Sequence, residues 1–189
     1  MLARLSGKCL FTVAEIASCL ARRGKRALRP EDVSRQFDTE DGSDRREWLG
    51  AGRWDGEIAD ADLRAEVKRA HSVLHDVEFL LAVSADAAVR GQVDCLWEDA
   101  HGGRHVLTVT SGERAAKGRR AKPEDWPLGL VLAAVALYRQ TGTWPRTVTA
   151  YNVTTGTVRR GDGDQLPHAA ALTAVSGAVN ELRRETLPA

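Results

Sequence analysis

Asp94 ends the segment Arg90-Gly91-Gln92-Val93-Asp94, and it is the carboxylate of this chain best placed for chemistry. Alternation over Val89 to Glu98 sets Val89, Gly91, Val93, Cys95 and Trp97 on one face of a strand. Arg90, Gln92, Asp94, Leu96 and Glu98 fall on the other, more polar face. A strand carboxylate can hold a hard divalent cation through oxygen, but Mg²⁺ keeps its waters unless further carboxylates or phosphate oxygens help. The next strand, His105 to Thr110, follows a His101-Gly102-Gly103 turn and brings Val106, Thr108 and Thr110 to one side. Threonines suit a pleated strand and supply neither charge nor base. The competing reading of Asp94 is a polar strand residue paired with Arg90 or with a neighbouring strand.

Two further groups have the right chemistry. His71 and His75 precede the strands and could be ligands, although a lone histidine at a helix end is commonly a cap or a surface group. Arg114, Lys117, Arg119, Arg120 and Lys122 put five positive charges in one loop, suited to a phosphate backbone and equally to a solvated surface. Arg22, Arg23, Lys25, Arg26 and Arg29 form a second basic group after a helix. That helix has the outline of the first helix of a helix-turn-helix unit, and its basic end is also what a dipole-compensated C-terminus looks like.

The bulk composition limits the partners. A chain of 189 residues with 43% hydrophobic content can bury a real core. Net charge is +1, so neither nucleic acid nor membrane binding follows from the total. Met1 to Asp38 holds eight Lys+Arg against four Asp+Glu, and Thr39 to Glu66 holds four against nine, so local distribution matters more than the sum. Cys9, Cys19 and Cys95 match neither a disulfide framework nor a four-thiolate metal site, and reduced thiols are expected. The longest apolar stretch, Leu128 to Tyr138, is shorter than the ~20 residues a membrane span needs. With no charged-then-apolar leader, a cytoplasmic protein is expected.

The elements that must position these groups follow from spacing. Thr12 to Arg23 reads as a helix, with Thr12 as N-cap, Glu15 three residues on, and Gly24 as its stop. A second short helix can start at Pro30. Thr39 to Asp60, rich in Asp, Gly and Arg, reads as a loop pinned by Trp48 and Trp54. From Ala61 the stripe Leu63, Val67, Ala70 and Leu74 is helical and ends before His75-Asp76. Strands follow, then a helix over Gly129 to Arg139 that is apolar almost all round and stops at Gly142. Thr147 to Val153 and Thr157 to Arg160 form a hairpin around Thr155-Gly156, and a last helix runs from about Pro167 to Arg184. The order is helix, three strands, helix, two strands, helix.

That order and its local wording resemble the RecB-type nuclease domain of the PD-(D/E)XK superfamily. The resemblance spans Ala70 to Gly161. It rests on the strand Glu78-Phe79-Leu80, on Arg90 to Asp94 followed by an acidic hairpin, and on Val106 to Gly112. The helix end Tyr138-Arg139-Gln140-Thr141-Gly142 before Thr147-Val148-Thr149-Ala150-Tyr151 completes it. The implied fold class is α/β, a central mixed sheet flanked by helices with a restriction-endonuclease-like core. Residues 1–60 would be a small helical, basic extension and loop, and 61–189 the nuclease-like domain.

The resemblance also implies a site. Such nucleases hold Mg²⁺ with two or more acidic groups and use a lysine beside the attacking water. Asp94 matches the first aspartate and, with it, the one metal position. Thr108 and Thr110 fall where the second acidic residue and the lysine belong. Gly129 and Ala133 fall where the next helix carries glutamine and tyrosine, and the first-helix histidine has no clear counterpart. A catalytically degenerate protein with no cofactor is expected. It would bind nucleic acid, DNA foremost, or scaffold a helicase, a nuclease partner or an anti-phage defence complex, with an exposed apolar patch near Trp144, Trp48 or Trp54 marking the second role. The alternative is an active Mg²⁺-dependent deoxyribonuclease rebuilt from Glu98, Glu113, Lys117 or Glu124, which Gly112 and Gly118 would hold loosely.

Overall fold

The computed structural model describes residues 9–22, 60–110 and 126–186. Strand β1 (Cys9–Thr12) leads directly into helix α1 (Val13–Arg22). The junction is a capping box: Glu15 Oε2 accepts the Thr12 amide at 2.7 Å, and Thr12 Oγ1 accepts the Glu15 amide at 3.2 Å. Val13, Ile16, Ala17 and Leu20 recur at helical spacing and are buried. Helix α2 (Ala61–Lys68) is capped by Asp60, whose side chain accepts the Leu63 amide at 2.7 Å.

Three antiparallel strands follow, β2 (Ser72–Ala82), β3 (Ala87–Glu98) and β4 (Arg104–Thr110). Helix α3 (Leu128–Thr141) then crosses to β5 (Thr147–Asn152), which pairs parallel with β4. Strand β6 (Thr157–Gly161) returns antiparallel through a turn with Gly156 at φ 65°. A short 3₁₀ turn (Gly163–Gln165) leads into helix α4 (His168–Thr186). β1 lies parallel to β3, with Cys9 opposite Ala87 and Thr12 opposite Arg90. Because β2 runs along β3 from Ala88 to Glu98, β1 and β4 share the other edge of β3, one at each end. The chain is an α/β protein with a six-stranded mixed sheet flanked by helices.

Both faces of the sheet are covered. On one, Val89, Val93, Val106 and Val148 meet α1, α3 and α4. Helix α3 is buried from Leu128 to Ala136, as its apolar circumference requires, and ends at Gly142 in the left-handed region (φ 76°). Burying each of Leu128, Leu130 and Leu132 contributes about 2 kcal/mol relative to exposure. On the other face, Leu63 and Val67 of α2 pack with Cys95, Trp97, Leu107 and Tyr151. No helix among the described residues is long and apolar enough to cross a membrane.

The structure departs from the sequence expectations at three places. Cys9 to Arg22, placed by sequence in an N-terminal extension, complete the sheet and the main core, because β1 finds its partner far along the chain. Helix α2 ends at Lys68, so Leu74 and His75 are strand residues; Leu74, at 56% exposure, lies on an edge strand and not in a helical stripe. Last, the alternation of β3 does not run unbroken. Val93 belongs to the main core but Cys95 and Trp97 belong to the second one, so odd positions change face at Asp94. Opposite it Asp76 takes φ 52°, a conformation that aspartate tolerates better than most residues, and this pair drops out of the β2–β3 ladder. The expected helix at Pro30 and the tryptophans Trp48 and Trp54 lie outside the described residues, as does nearly all of the loop read over 39–60.

Candidate functional site

The β3–β4 ladder runs from Glu98–Arg104 to Cys95–Leu107 and stops there. One step further, Asp94 is fully buried, and its Oδ2 accepts the Thr108 hydroxyl at 3.0 Å and the Val109 amide at 2.7 Å. The carboxylate thus replaces the backbone acceptor that β3 no longer offers to β4. Hydrogen bonds to an ionised acceptor are stronger than neutral ones, so one side chain can strap the two strands where their ladder ends. Pairing with a neighbouring strand is therefore the role the geometry gives to Asp94. Thr110 turns elsewhere and donates to the Tyr151 carbonyl on β5 at 3.3 Å. Beside them, burial and then the Asp94 charge push the Cys95 thiol up to about 12, which makes it a packing group and not a nucleophile.

Gly91 sits in the same stretch of β3. A Cβ there would come within 2.4 Å of the Phe79 ring and 2.7 Å of Val13 Cγ2. The glycine therefore lets β2 and the start of α1 close over the strand.

Among the described residues the donor set around Asp94 does not fit Mg²⁺. Asp94 brings one carboxylate already committed to two donors, whereas the ion wants octahedral oxygen ligands and exposed water positions. Among the described residues no three His, Cys, Asp or Glu side chains cluster as a metal site. Neither His71, exposed before β2, nor His75, exposed on it opposite Cys95, builds one with Asp94. Glu98 pairs with Arg104 at 3.7 Å near the hairpin end. Gly129 and Ala133 are buried in α3 and bring no polar group. Glu113, Arg114, Lys117, Arg119, Arg120, Lys122 and Glu124 lie outside the described residues, as do Arg23, Lys25, Arg26 and Arg29.

Two constellations escape sequence reasoning. At the β3–β4 turn, Asp99 Oδ1 accepts the amides of His101 and Gly103, both at 2.8 Å. Its Oδ2 accepts Arg146 Nη1 at 2.9 Å and faces His105 Nε2 at 3.2 Å. The Gly103 amide first, then His105, hold the Asp99 carboxyl well below the usual carboxylate range. His105 is buried, stacks on Trp97 at 5.0 Å, and meets Thr147 Oγ1 through Nδ1 at 2.6 Å. Both ring nitrogens are thus engaged, and the array pins the hairpin end to β5. Only the Asp-x-x-Gly turn wording hints at it in the sequence.

The second constellation is a stack of three rings. Trp144 lies between Tyr138 (4.0 Å, 9°) and His168 (4.1 Å, 10°). Trp144 is therefore half-buried within a stack and is not the centre of an open apolar patch; Tyr138 is the exposed member. His168 Nε2 donates to the Gly163 carbonyl at 2.7 Å, and burial lowers the His168 pKa.

No protein-family model matches this chain, and no curated protein matches it. Solved structures similar to it include an alkaline exonuclease (LHK-Exo) from Laribacter hongkongensis. That protein is 18% identical, with 97% of this chain and 91% of that one covered, at a TM-score of 0.44. The crystal structure of SSO0001 is also similar, at 10% identity over 91% of this chain and 76% of that one, with a TM-score of 0.43. No residue role is transferred from either.

Proposed function

We propose that this chain is a nuclease-like module that no longer cuts, and that it holds nucleic acid, DNA foremost, within a DNA-processing or anti-phage defence assembly. The observation that carries this reading is the Asp94–Thr108 strap. The carboxylate that resembles the metal-binding aspartate of RecB-type nucleases is fully buried and spends its oxygen on strand pairing. The positions resembling the second acidic residue and the lysine are Thr108 and Thr110, with no charge to offer a metal or an attacking water. What remains useful to nucleic acid is cationic: Arg114, Lys117, Arg119, Arg120 and Lys122 follow β4 closely in the sequence.

The test is an assay on labelled single- and double-stranded DNA with Mg²⁺ or Mn²⁺, beside a binding titration and the Asp94→Ala variant. Salt-sensitive binding with no metal-dependent cleavage is expected. Metal-dependent cleavage that disappears in an Asp94→Ala protein whose circular dichroism shows the fold retained would instead establish an active enzyme rebuilt from relocated groups such as Glu113 and Lys117. Absence of both binding and cleavage would assign the chain to protein partners.

A further inference from the structure

We infer that Tyr138 is a stacking platform for an unpaired nucleobase, so that the nucleic acid held by this protein is single-stranded at that point. The inference rests on the nucleic-acid reading above and adds a site and a strand type to it. Three features of the stack carry it. Its rings are nearly coplanar in direction, with interplanar angles of 9° and 10°, and centroids 4.0 and 4.1 Å apart. The inner ring is fixed, since His168 is tied to the Gly163 carbonyl and Trp144 is covered on both faces. The outer ring is the exposed one: Tyr138 retains 38% of its surface in solvent while Trp144 stacks on one of its faces.

A planar π surface ending a rigid stack is completed by another planar ring, and offset stacking on an ordered aromatic costs little conformational entropy. The local charge selects which ring. Tyr138 to Thr147 carry Arg139 and Arg146 and no Asp or Glu. Arg139 is exposed and donates to the Ala82 carbonyl, the Arg146 side chain keeps 61% of its surface while bound to Asp99, and the carboxylate that acts on the stack, Asp164, is at its far end beside His168. Arginines beside an exposed tyrosine suit a base carried on a phosphate chain. A duplex base is already stacked on both sides, so only an unpaired one can occupy the position.

The experiment is fluorescence anisotropy of the full chain with labelled oligothymidylate, an abasic oligomer of equal length, and a duplex, each across a salt series. The expected result is that Tyr138→Ala weakens oligothymidylate binding roughly 5- to 100-fold. Binding of the abasic oligomer, and the salt slope, should not change, and Tyr138→Phe should behave as the unaltered protein. Circular dichroism of each variant confirms that the fold is retained. If Tyr138→Ala binds oligothymidylate as tightly as the unaltered protein, the platform is refuted while the nucleic-acid reading stands. If the loss is equal on the abasic oligomer, the residue contributes no stacking and the inference fails. If the unaltered protein binds none of the three, the nucleic-acid reading fails and this inference with it.

Discussion

Thr108 donates its hydroxyl to the buried Asp94 carboxylate at the point where β3 and β4 stop exchanging backbone hydrogen bonds. The two residues make a joint in the sheet. Thr108→Val keeps the shape and removes the donor, and should cost about 2 kcal/mol in urea unfolding. Asp94→Ala removes the acceptor shared by the hydroxyl and the Val109 amide and should cost more, about 3 kcal/mol. Asp94→Asn keeps an acceptor oxygen and should fall between Asp94→Ala and the unaltered protein. An Asp94→Ala protein as stable as the original would show that the joint does not hold the strands together.

Gly91 offers a separate test of how tightly β2 and α1 close on β3. Gly91→Ala forces the Phe79 ring and Val13 aside and should cost about 1–3 kcal/mol. Adding Phe79→Leu should return part of that loss, so the pair should be non-additive in chemical denaturation. Strict additivity would mean that Phe79 is not the obstacle.

Stability should depend on pH in two windows. Burial depresses the folded pKa of His168 below 6.5, so its contribution is complete above that value and is lost as pH falls through the folded pKa. His168→Phe keeps a ring on Trp144 and should flatten the melting temperature against pH as pH falls below about 6.5. Asp86 is held at about 2 by hydrogen bonds from Arg183 and Ser84. Its contribution is present above the ordinary aspartate value of 3.8 and fades as pH drops toward 2, a loss that Asp86→Asn should lack. Unchanged slopes in both variants would show that other groups govern acid unfolding.

The five cationic residues between Arg114 and Lys122 predict a salt effect. Replacing Arg114, Lys117, Arg119, Arg120 and Lys122 with glutamine should weaken duplex binding without changing strand preference. The slope of log K against log salt should shrink by up to about 4.5, at roughly 0.9 for each phosphate no longer neutralised. An unchanged slope would mean that these five cations do not meet phosphate.

Much of the architecture was legible because local signals agreed with the fold. The Thr12/Glu15 box, the uninterrupted apolar run of α3 before Gly142, and the Thr155-Gly156 turn all report on their own neighbourhoods. What stayed hidden depends on distant partners. Cys9 to Thr12 is too short to announce itself as a strand and is one because Ala87 to Arg90 receive it. The change of face at Asp94 needs Asp76 across the ladder. At the candidate site, Asp94 and Thr108 were both legible as residues, but the hydrogen bond joining them belongs to the splay of two strands. The ring stack brings Tyr138, Trp144 and His168 together from two helices and a loop, with no shared periodicity.

The pairing of β1 with the far end of β3 also sets an order of assembly. β2, β3 and β4 are close in sequence and can zip together with small loop-closure losses, whereas Cys9 to Thr12 must wait until Ala87 to Arg90 exist as a strand. Until β1 docks, α1 has no seat, and the part of the main core that Ile16, Ala17 and Leu20 close stays open. The part of this chain made early on the ribosome is thus among the last to become native, and the interval before it does is when the protein is most open to association with other chains.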